Sequence, residues 1–541
     1  MPRSPVHRRE PRWARQLRGG HPWLLSTAQR GNDSSDLPAW SEGNGVQALI
    51  DGRSYLAELG RVLESAGAGD VVLFACWRAE PDELLDDDGP PVAAALVGAA
   101  CRGATVRLLL WRSHPEVLGH SLGAHRDLAR AVNAAGGQTV LDQRVRPLGC
   151  HHQKFTVVAG ATGQVAFVGG LDTARTRRDG PAHTGDQQVQ PTFNDVYGPT
   201  PAWHDVQLRL TGPAVHDVAM VFRRRWADPA APTHWPWQTI PDRLRGAARA
   251  VQPLPPPAPR PEPAGSCAVQ LLQTYPRRRP RYPFAPDGER SVARGYAKAL
   301  ARARRLVYVE DQYLWSSDVA RIFAAALRRS PALRLIVVVP RYIDGEGRLD
   351  RPATMLGQNT AWRTVLAAGG ERVQLFDLEN EAGHPVYVHS KVCVVDDVWA
   401  AVGSANLCRR AWTHDSELTA AVLDEQRDGR DPLDPGGLGD GARVFARGLR
   451  LALMREHLGR ADGDDADLLS PDCAAEALCR AAAELDAWHA NGREGPRPPG
   501  RLRRHPRRHG PRWARRLITP VYDLAYDPDG RPWPMRLKGG F

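Results

Sequence analysis

At 541 residues the chain is too long for one ordinary hydrophobic core, so two domains or one duplicated domain is expected. Hydrophobic residues at 42% and charged residues at 25% exclude a wholly disordered or fibrous chain, while 46 prolines and 51 glycines announce long connecting segments. The net charge of +11 favours a polyanionic partner, either an anionic membrane surface or nucleic acid, and no uncharged run approaches the ~18 apolar residues of a membrane span.

The basic residues cluster between Arg493 and Arg516, a stretch that reads equally as a solvated tail and as a binding element. The segment PRWAR occurs at 11–15 and again at 511–515, pairing arginines with a tryptophan as headgroup contacts do. The first twenty residues carry an arginine pair with no apolar run after it, so neither a secretory nor a twin-arginine signal is read there, and a cytoplasmic or peripheral membrane location is expected. The eight cysteines show no CxxC pair and no zinc-ligand spacing, and are read as free thiols. The acidic turn DDDG at 86–89 lacks the later ligands of a calcium loop.

In chain order, SYLAELGRVLESA has helical periodicity, VVLFACW reads as a strand, PVAAALVGAACRG as a helix and TVRLLLW as a strand. The same succession returns as SVARGYAKALARA, RLVYVEDQYLW, DVARIFAAALRRS and LRLIVVV. Alternation of this kind implies a sheet with helices packed on it. The proline-dense stretch at 251–265 cannot pack into a core and separates a first half at 45–250 from a second at 266–480, with basic segments at 1–44 and 481–541 outside them.

Each half then gives a strand carrying histidine and lysine, a second strand ending in small residues, and a third opened by an acidic residue. In the first these are HHQKFTVV, QVAFVGGLD and WHDVQLRL; in the second they are VHSKVCVV, VWAAVGSAN and THDSELTAAV. Two such units suggest internal duplication. Side chains alternate along a strand, so His152 projects with Lys154 and His389 with Lys391. One such pair is more often a solvated strand edge than a site, whereas two pairs suit a phosphodiester. One imidazole attacks phosphorus, the other protonates the leaving oxygen, and two ammonium groups neutralise the non-bridging oxygens. Gly169 and Gly170, with Gly403 and Ser404, are small enough to let a phosphate approach the backbone.

His389, Lys391 and Asp396, followed by Gly403, Ser404 and Asn406, resemble in type and spacing the HKD signature of the phospholipase D superfamily. The segments HHQK, GGLD at 169–172, WHD at 203–205, YVEDQYLW at 308–315 and LRLALMREHLG at 449–459 are similar to those of eukaryotic-type phospholipases D in particular. The resemblance covers roughly residues 45–460. It implies two similar α/β/α sandwich halves with mixed sheets, related by a pseudo-twofold, with one active site at their interface.

The resemblance further implies a covalent phosphohistidine, with His152 as nucleophile and His389 as acid and then base; on sequence alone the two roles are interchangeable. Lys154, Lys391 and Asn406 would hold phosphate oxygens with help from Ser404 and Gly170, and Asp172 stands in the first half where Asn406 stands in the second. Each histidine needs a partner on its other nitrogen, and matching the halves selects Asp205 and Glu417, with Asp415 a rival to the latter. Glu310 and Gln312 are similar to the family's supporting pair, where Asp311 replaces the usual asparagine.

One position departs from the signature: Ala159 stands where the first motif's aspartate belongs. Its offset of seven from His152 is odd, which turns it away from the reacting face, so the motif aspartate, Asp396 in the second half, is read as structural. Ala159→Asp is accordingly expected to change turnover little and stability slightly. No metal or other cofactor is required, because the ammonium groups supply the charge. The leading expectation is a phospholipid hydrolase acting on phosphatidylcholine-like substrates at a membrane surface and yielding phosphatidic acid, with possible transfer to alcohols. The alternatives are a nucleic-acid phosphodiesterase of the same superfamily, a phosphatidyltransferase, and a degenerate lipid-binding protein. Headgroup preference and oligomeric state are not legible.

Overall fold

The computed structural model describes residues 17–113, 122–160, 163–188, 196–198, 200–248, 250–343, 351–506 and 518–541. Both PRWAR segments and the end of the basic C-terminal run, from residue 507, lie outside the described residues.

The first half contributes β1 (Ser41–Ile50), β2 (Val71–Cys76), β3 (Thr105–Trp111), β4 (Gln138–Asp142), β5 (Phe155–Gly160), β6 (Gly163–Gly169), β7 (Trp203–His204) and β8 (Val206–Thr211). The second contributes β9 (Cys267–Tyr275), β10 (Glu289–Arg290), β11 (Leu306–Asp311), β12 (Arg334–Val338), β13 (Val373–Glu379), β14 (Pro385–Val388), β15 (Lys391–Val395), β16 (Trp399–Gly403), β17 (Glu417–Asp424) and β18 (Leu502–Arg504).

Strand pairing exposes the duplication. The first sheet runs β4-β3-β2-β5-β6-β8-β1, parallel across β4, β3 and β2 and antiparallel elsewhere. The second runs β13-β12-β11-β15-β16-β17-β9 with the same orientations in the same places. Backbone pairing of β1 with β9 at Ser41 and Asn44 joins the two into one large mixed sheet.

Helices fill three layers. Helices α1 (Gly52–Ser65), α2 (Val92–Cys101) and α3 (Leu122–Ala134) cover the outer face of the first sheet. A central layer between the sheets takes α4 (Ala214–Trp226), and α5 (Ser291–Arg302), α6 (Ser317–Arg329) and α7 (Arg351–Gly369) cover the outer face of the second sheet. The central layer also takes α8 (Val444–Leu458) and α9 (Pro471–Ala490). The period-two rule sorts the strands between layers: Phe155 and Val157 face the centre while Val158 faces outward, and Val392 and Val394 face the centre while Cys393 and Val395 face outward. Among the described residues no helix is long and apolar enough to cross a membrane, and the eight cysteines are unpaired.

The linker at 251–265 carries no helix or strand in its described residues. Beyond it the second half gathers both ends of the chain. Helix α9 runs past residue 480 and β18 adds to β13. Trp23, Leu24 and Leu25 pack into the outer core of the second half, as does Phe541, which meets Trp412 edge to face. The described parts of the two basic end segments therefore lie folded against this half.

Two departures from the sequence expectation concern the motif itself. His152, Lys154 and His389 lie in the links that precede β5 and β15, and only Lys391 falls within a strand. Their N–H groups look elsewhere for partners: His152 N donates to Ser416 O at 3.0 Å and His389 N to His204 O at 2.8 Å, each across the seam between the halves. Ala159 is buried in the central apolar layer, so an aspartate there would be an unpartnered carboxylate among hydrocarbons, and the expectation of a slight effect on stability is withdrawn.

Candidate active site

The seam is built by reciprocal short pairings. Tyr387 and Val388, which lead into His389, lie beside Trp203 and His204, which lead into Asp205. His151, which leads into His152, bridges to Ser416, which leads into Glu417. Each motif histidine is thereby set next to the carboxylate of the opposite half. His152 Nδ1 lies 3.0 Å from both oxygens of Glu417. His389 Nδ1 lies 2.6 Å from Asp205 Oδ2. With Nδ1 so engaged, Nε2 of each ring is left for chemistry, which is the requirement for a nucleophile and for a proton carrier.

The rival to Glu417 is turned to another task. Asp415 accepts from the Cys150 N–H at 3.0 Å and from the Arg410 guanidinium at 2.7 Å, holding the link before His152 in place.

The lysines are drawn back along their own chains, Lys154 Nζ donating to His152 O at 3.0 Å and Lys391 Nζ to His389 O. Lys154 also sits 3.7 Å from Asp172 Oδ2, and Lys391 3.4 Å from Gln312 Oε1. Both ammonium groups act on both imidazoles, and His389 acts on His152. The His152 imidazole is held well below its ordinary range by burial first, then by Lys154 and Lys391. His389 is held well below by burial, then by Lys391, Arg177 and Lys154. Burial pushes Glu417 well above the usual carboxylate range, and Asp415 adds to it. Lys391 is lowered to about 8, by burial first and by Lys154, against the opposing pull of Asp205. Burial first, and then the two cations, thus disfavour the protonated form of each imidazole, and an arriving phosphodiester anion offsets the cations.

Small residues let adjoining segments of each half come close. Gly170 packs against Asp205, and a Cβ on Gly403 would stand 2.4 Å from Thr419 Cα. Ser404 Oγ donates to Glu417 Oε2 at 2.5 Å, so it steadies the partner of His152. Asn406 Oδ1 and Asp172 Oδ2 are buried without a hydrogen-bond partner, and both belong to the positions that the motifs assign to phosphate. Asp172 Oδ1 accepts the Arg78 N–H at 3.0 Å.

Glu310 is the hub of the support behind the site. Its carboxylate lies 2.9 Å from His204 Nε2 and 2.8 Å from His457 Nε2, and it accepts the hydroxyls of Ser390 at 2.7 Å and Tyr308 at 2.5 Å. Gln312 donates to the Tyr387 hydroxyl at 2.7 Å. Asp311 accepts the N–H groups of Tyr313, Leu314 and Leu407, closing the turn after β11. Asp396 faces away from the site and accepts the N–H groups of Arg304, Arg305 and Leu306 at 2.7 to 2.8 Å. In the first half the equivalent loop is held by Asp70, whose Oδ2 accepts the Gly67 N–H at 2.9 Å, and that arrangement spares Ala159 the duty of Asp396.

The structure adds residues to which the sequence alone assigns no role. Trp77 stands edge-on to His152 with ring centroids 5.7 Å apart and lies 5.4 Å from Lys154 Nζ. Trp203 lies against His389 at 5.0 Å and carries the Arg177 guanidinium 4.1 Å from its ring. Asp51, His183 and Glu456 surround His204, and together the four side chains offer nitrogen and carboxylate oxygen atoms to one point. Of these, His204 and Glu456 fall in the WHD and LRLALMREHLG segments; Asp51 and His183 stand in no repeated pattern.

Comparison with known proteins follows the same lines. A family model described as phospholipase D matches residues 123–246, and one described as cardiolipin synthase, PLD-like domain, matches residues 296–428. Phospholipase D alpha 1 of Ricinus communis is 24% identical over 472 residues, covering 69% of this chain and 56% of that protein. Phospholipase D alpha 1 of Nicotiana tabacum is 26% identical over 474 residues, covering 69% and 56%. Phospholipase D alpha 2 of Oryza sativa subsp. japonica is 25% identical over 522 residues, covering 73% and 62%. The chain thus spans rather more than half the length of these relatives. Among solved structures, phosphatidylserine synthase of Haemophilus influenzae Rd KW20 shares the fold with a TM-score of 0.50 and 12% identity, over 73% of this chain and 86% of that one.

Proposed function

Because this chain belongs to the phospholipase D superfamily of phosphodiesterases, we propose that it hydrolyses the headgroup ester of phosphatidylcholine-like glycerophospholipids to phosphatidic acid. The observation that carries the reading is the crossed pair of imidazoles, each with its Nδ1 against a carboxylate of the other half and both within the field of two lysines. Such a site suits a two-step displacement. His152 Nε2 attacks phosphorus, the bond to the headgroup oxygen breaks, and that oxygen leaves with a proton from His389. Water then gives a proton to His389 while its oxygen attacks phosphorus and the bond to His152 breaks. Glu417 and Asp205 fix each ring and stabilise the imidazolium as it forms, and Lys154, Lys391 and Asn406 take the charge on the non-bridging oxygens. The choice of phospholipid draws support from the plant relatives, which are phospholipases D by name.

A second outcome of the same intermediate has its own support, since the second half matches a cardiolipin synthase model and the solved structure of similar fold is a phosphatidylserine synthase. An alcohol in place of water would then receive the phosphatidyl group. Phosphatidylcholine vesicles, with and without ethanol or serine, distinguish the two. Choline released with phosphatidic acid as product supports the hydrolase, and phosphatidyl-alcohol as the main product supports the transferase. In parallel, single-stranded DNA is offered as substrate. Nucleotide release without choline release, or choline release that survives His389→Ala, overturns the proposal.

A further inference from the structure

Behind His389, four buried side chains converge from four separate elements. Asp51 stands at the start of α1 in a left-handed backbone conformation with φ 63°, His183 is on the long loop after β6, His204 is in β7, and Glu456 is in the last turn of α8. Three therefore come from the first half and one from the second. One donor atom from each lies within 4.8 Å of every other. Along the set, His204 Nδ1 is 2.9 Å from Asp51 Oδ1 and 3.0 Å from Glu456 Oε1, and that oxygen is 3.3 Å from His183 Nε2. Ligand atoms about 2.0–2.2 Å from a tetrahedral zinc ion are separated from one another by about 3.3 Å.

Hydrogen bonding alone leaves this group unsatisfied. His204 Nδ1 faces two carboxylate oxygens with at most one proton to share. Glu456 Oε1, Asp51 Oδ2 and His183 Nε2 have no well-aligned hydrogen-bond partner, although Asp51 and His183 are fully buried and Glu456 is 10% exposed. Uncompensated carboxylates at such depth are costly. The far side of each histidine is, by contrast, well served. His204 Nε2 is bonded to the Glu310 carboxylate at 2.9 Å, and His183 Nδ1 lies 3.2 Å from the Trp203 carbonyl. A carboxylate or carbonyl on one imidazole nitrogen, with the other nitrogen turned to a shared point, is how proteins hold histidine as a metal ligand. The neighbouring trio of His204, Glu310 and His457 differs, because hydrogen bonds of 2.9 and 2.8 Å give each of its imidazole nitrogens its own Glu310 oxygen, whereas His204 Nδ1, already bonded to Asp51 Oδ1, still faces Glu456 Oε1.

We propose that Asp51, His183, His204 and Glu456 hold one divalent transition-metal ion of the zinc class, which clamps the two halves together behind the candidate active site. Two imidazole nitrogens with two carboxylate oxygens suit zinc and its neighbours and disfavour calcium and magnesium, which take oxygen donors. The ion takes no part in phosphoryl chemistry. Its reach is through the chain, because His204 precedes Asp205, the partner of His389, and because Asp51 N donates to Asp205 O at 2.8 Å.

The full chain, unfolded with a chelator and refolded with or without zinc, then passed over chelating resin, tests the assignment without any substrate and so independently of the proposed activity. The wild type is expected to retain one zinc per chain and to melt at a higher temperature than the metal-free protein. Glu456→Gln and His183→Ala are expected to retain none and to melt identically with and without zinc. Cobalt in place of zinc should give the wild type, which needs no variant to fold, the visible absorption of a tetrahedral site. Wild-type protein that retains neither zinc, cobalt, manganese nor iron, or variants that keep the same metal as the wild type, overturn the proposal.

Discussion

Gly170 and Asp205 approach so closely that a Cβ on the glycine would stand 2.2 Å from Asp205 Oδ1. That oxygen is also held by the Val206 N–H at 2.8 Å, while Oδ2 engages His389. Gly170→Ala must push the carboxylate off its histidine. Because misplacing a catalytic group by about 1 Å costs on the order of 10²-fold in rate, kcat is expected to fall by about that factor while the variant stays folded by circular dichroism. Unchanged kcat would mean that Asp205 does not orient His389.

The two histidines are distinguished by a leaving group that needs no proton. With a phosphatidyl p-nitrophenol substrate, His389→Ala should still release a burst of nitrophenol stoichiometric with protein and then stall, leaving a phosphoprotein stable to denaturation in alkali. His152→Ala should give neither burst nor phosphoprotein. The reverse pattern assigns the nucleophile to His389.

Lys391, held to about 8, sets an alkaline limit. A lysine carries its charge below its pKa, so kcat/KM for phosphatidylcholine, whose own charges do not change in this range, should fall as pH rises through about 8. Lys391→Arg keeps a cation at every accessible pH, and its profile, though lower overall, should lose that limb. The same limb in the variant would exclude Lys391 as its origin.

The motif aspartate can be separated from catalysis. Asp396→Ala removes the acceptor of three backbone N–H groups and is expected to cost about 3 kcal/mol in chemical unfolding, with kcat for the folded fraction nearly unchanged. Ala159→Asp, which buries a carboxylate in the central layer, should cost about 2–4 kcal/mol. A folded Ala159→Asp protein with much higher turnover than the wild type would show that the first motif's aspartate acts on the reaction.

What the amino-acid sequence reveals here follows the range of the forces involved. The succession from α1 to β3 and its echo from α5 to β12 are legible because each element has its own periodicity and its own stop, such as Gly103 in the turn before β3. His152, Lys154, His389 and Lys391 stand out because their spacing occurs twice. The placement of His152, Lys154 and His389 in links, outside the strands expected for them, is not legible, because the partners of His152 N and His389 N come from chain remote in sequence. Asp51 and His183 are hidden for a related reason: each appears once, outside the repeated strands, and only the folding of the first half brings them to His204, while Glu456 arrives with the packing of α8 against that half. Trp77 lies one residue beyond β2 and is marked by nothing but its position.

The exchange of carboxylates across the seam also governs when the protein becomes competent during its own synthesis. Everything in the first half, His152 included, leaves the ribosome before Glu417 exists, and Asp205 waits for His389. A nascent chain that has not reached Glu417 thus carries no complete phosphodiesterase centre, and both histidine–carboxylate pairs can form only once β17 has begun.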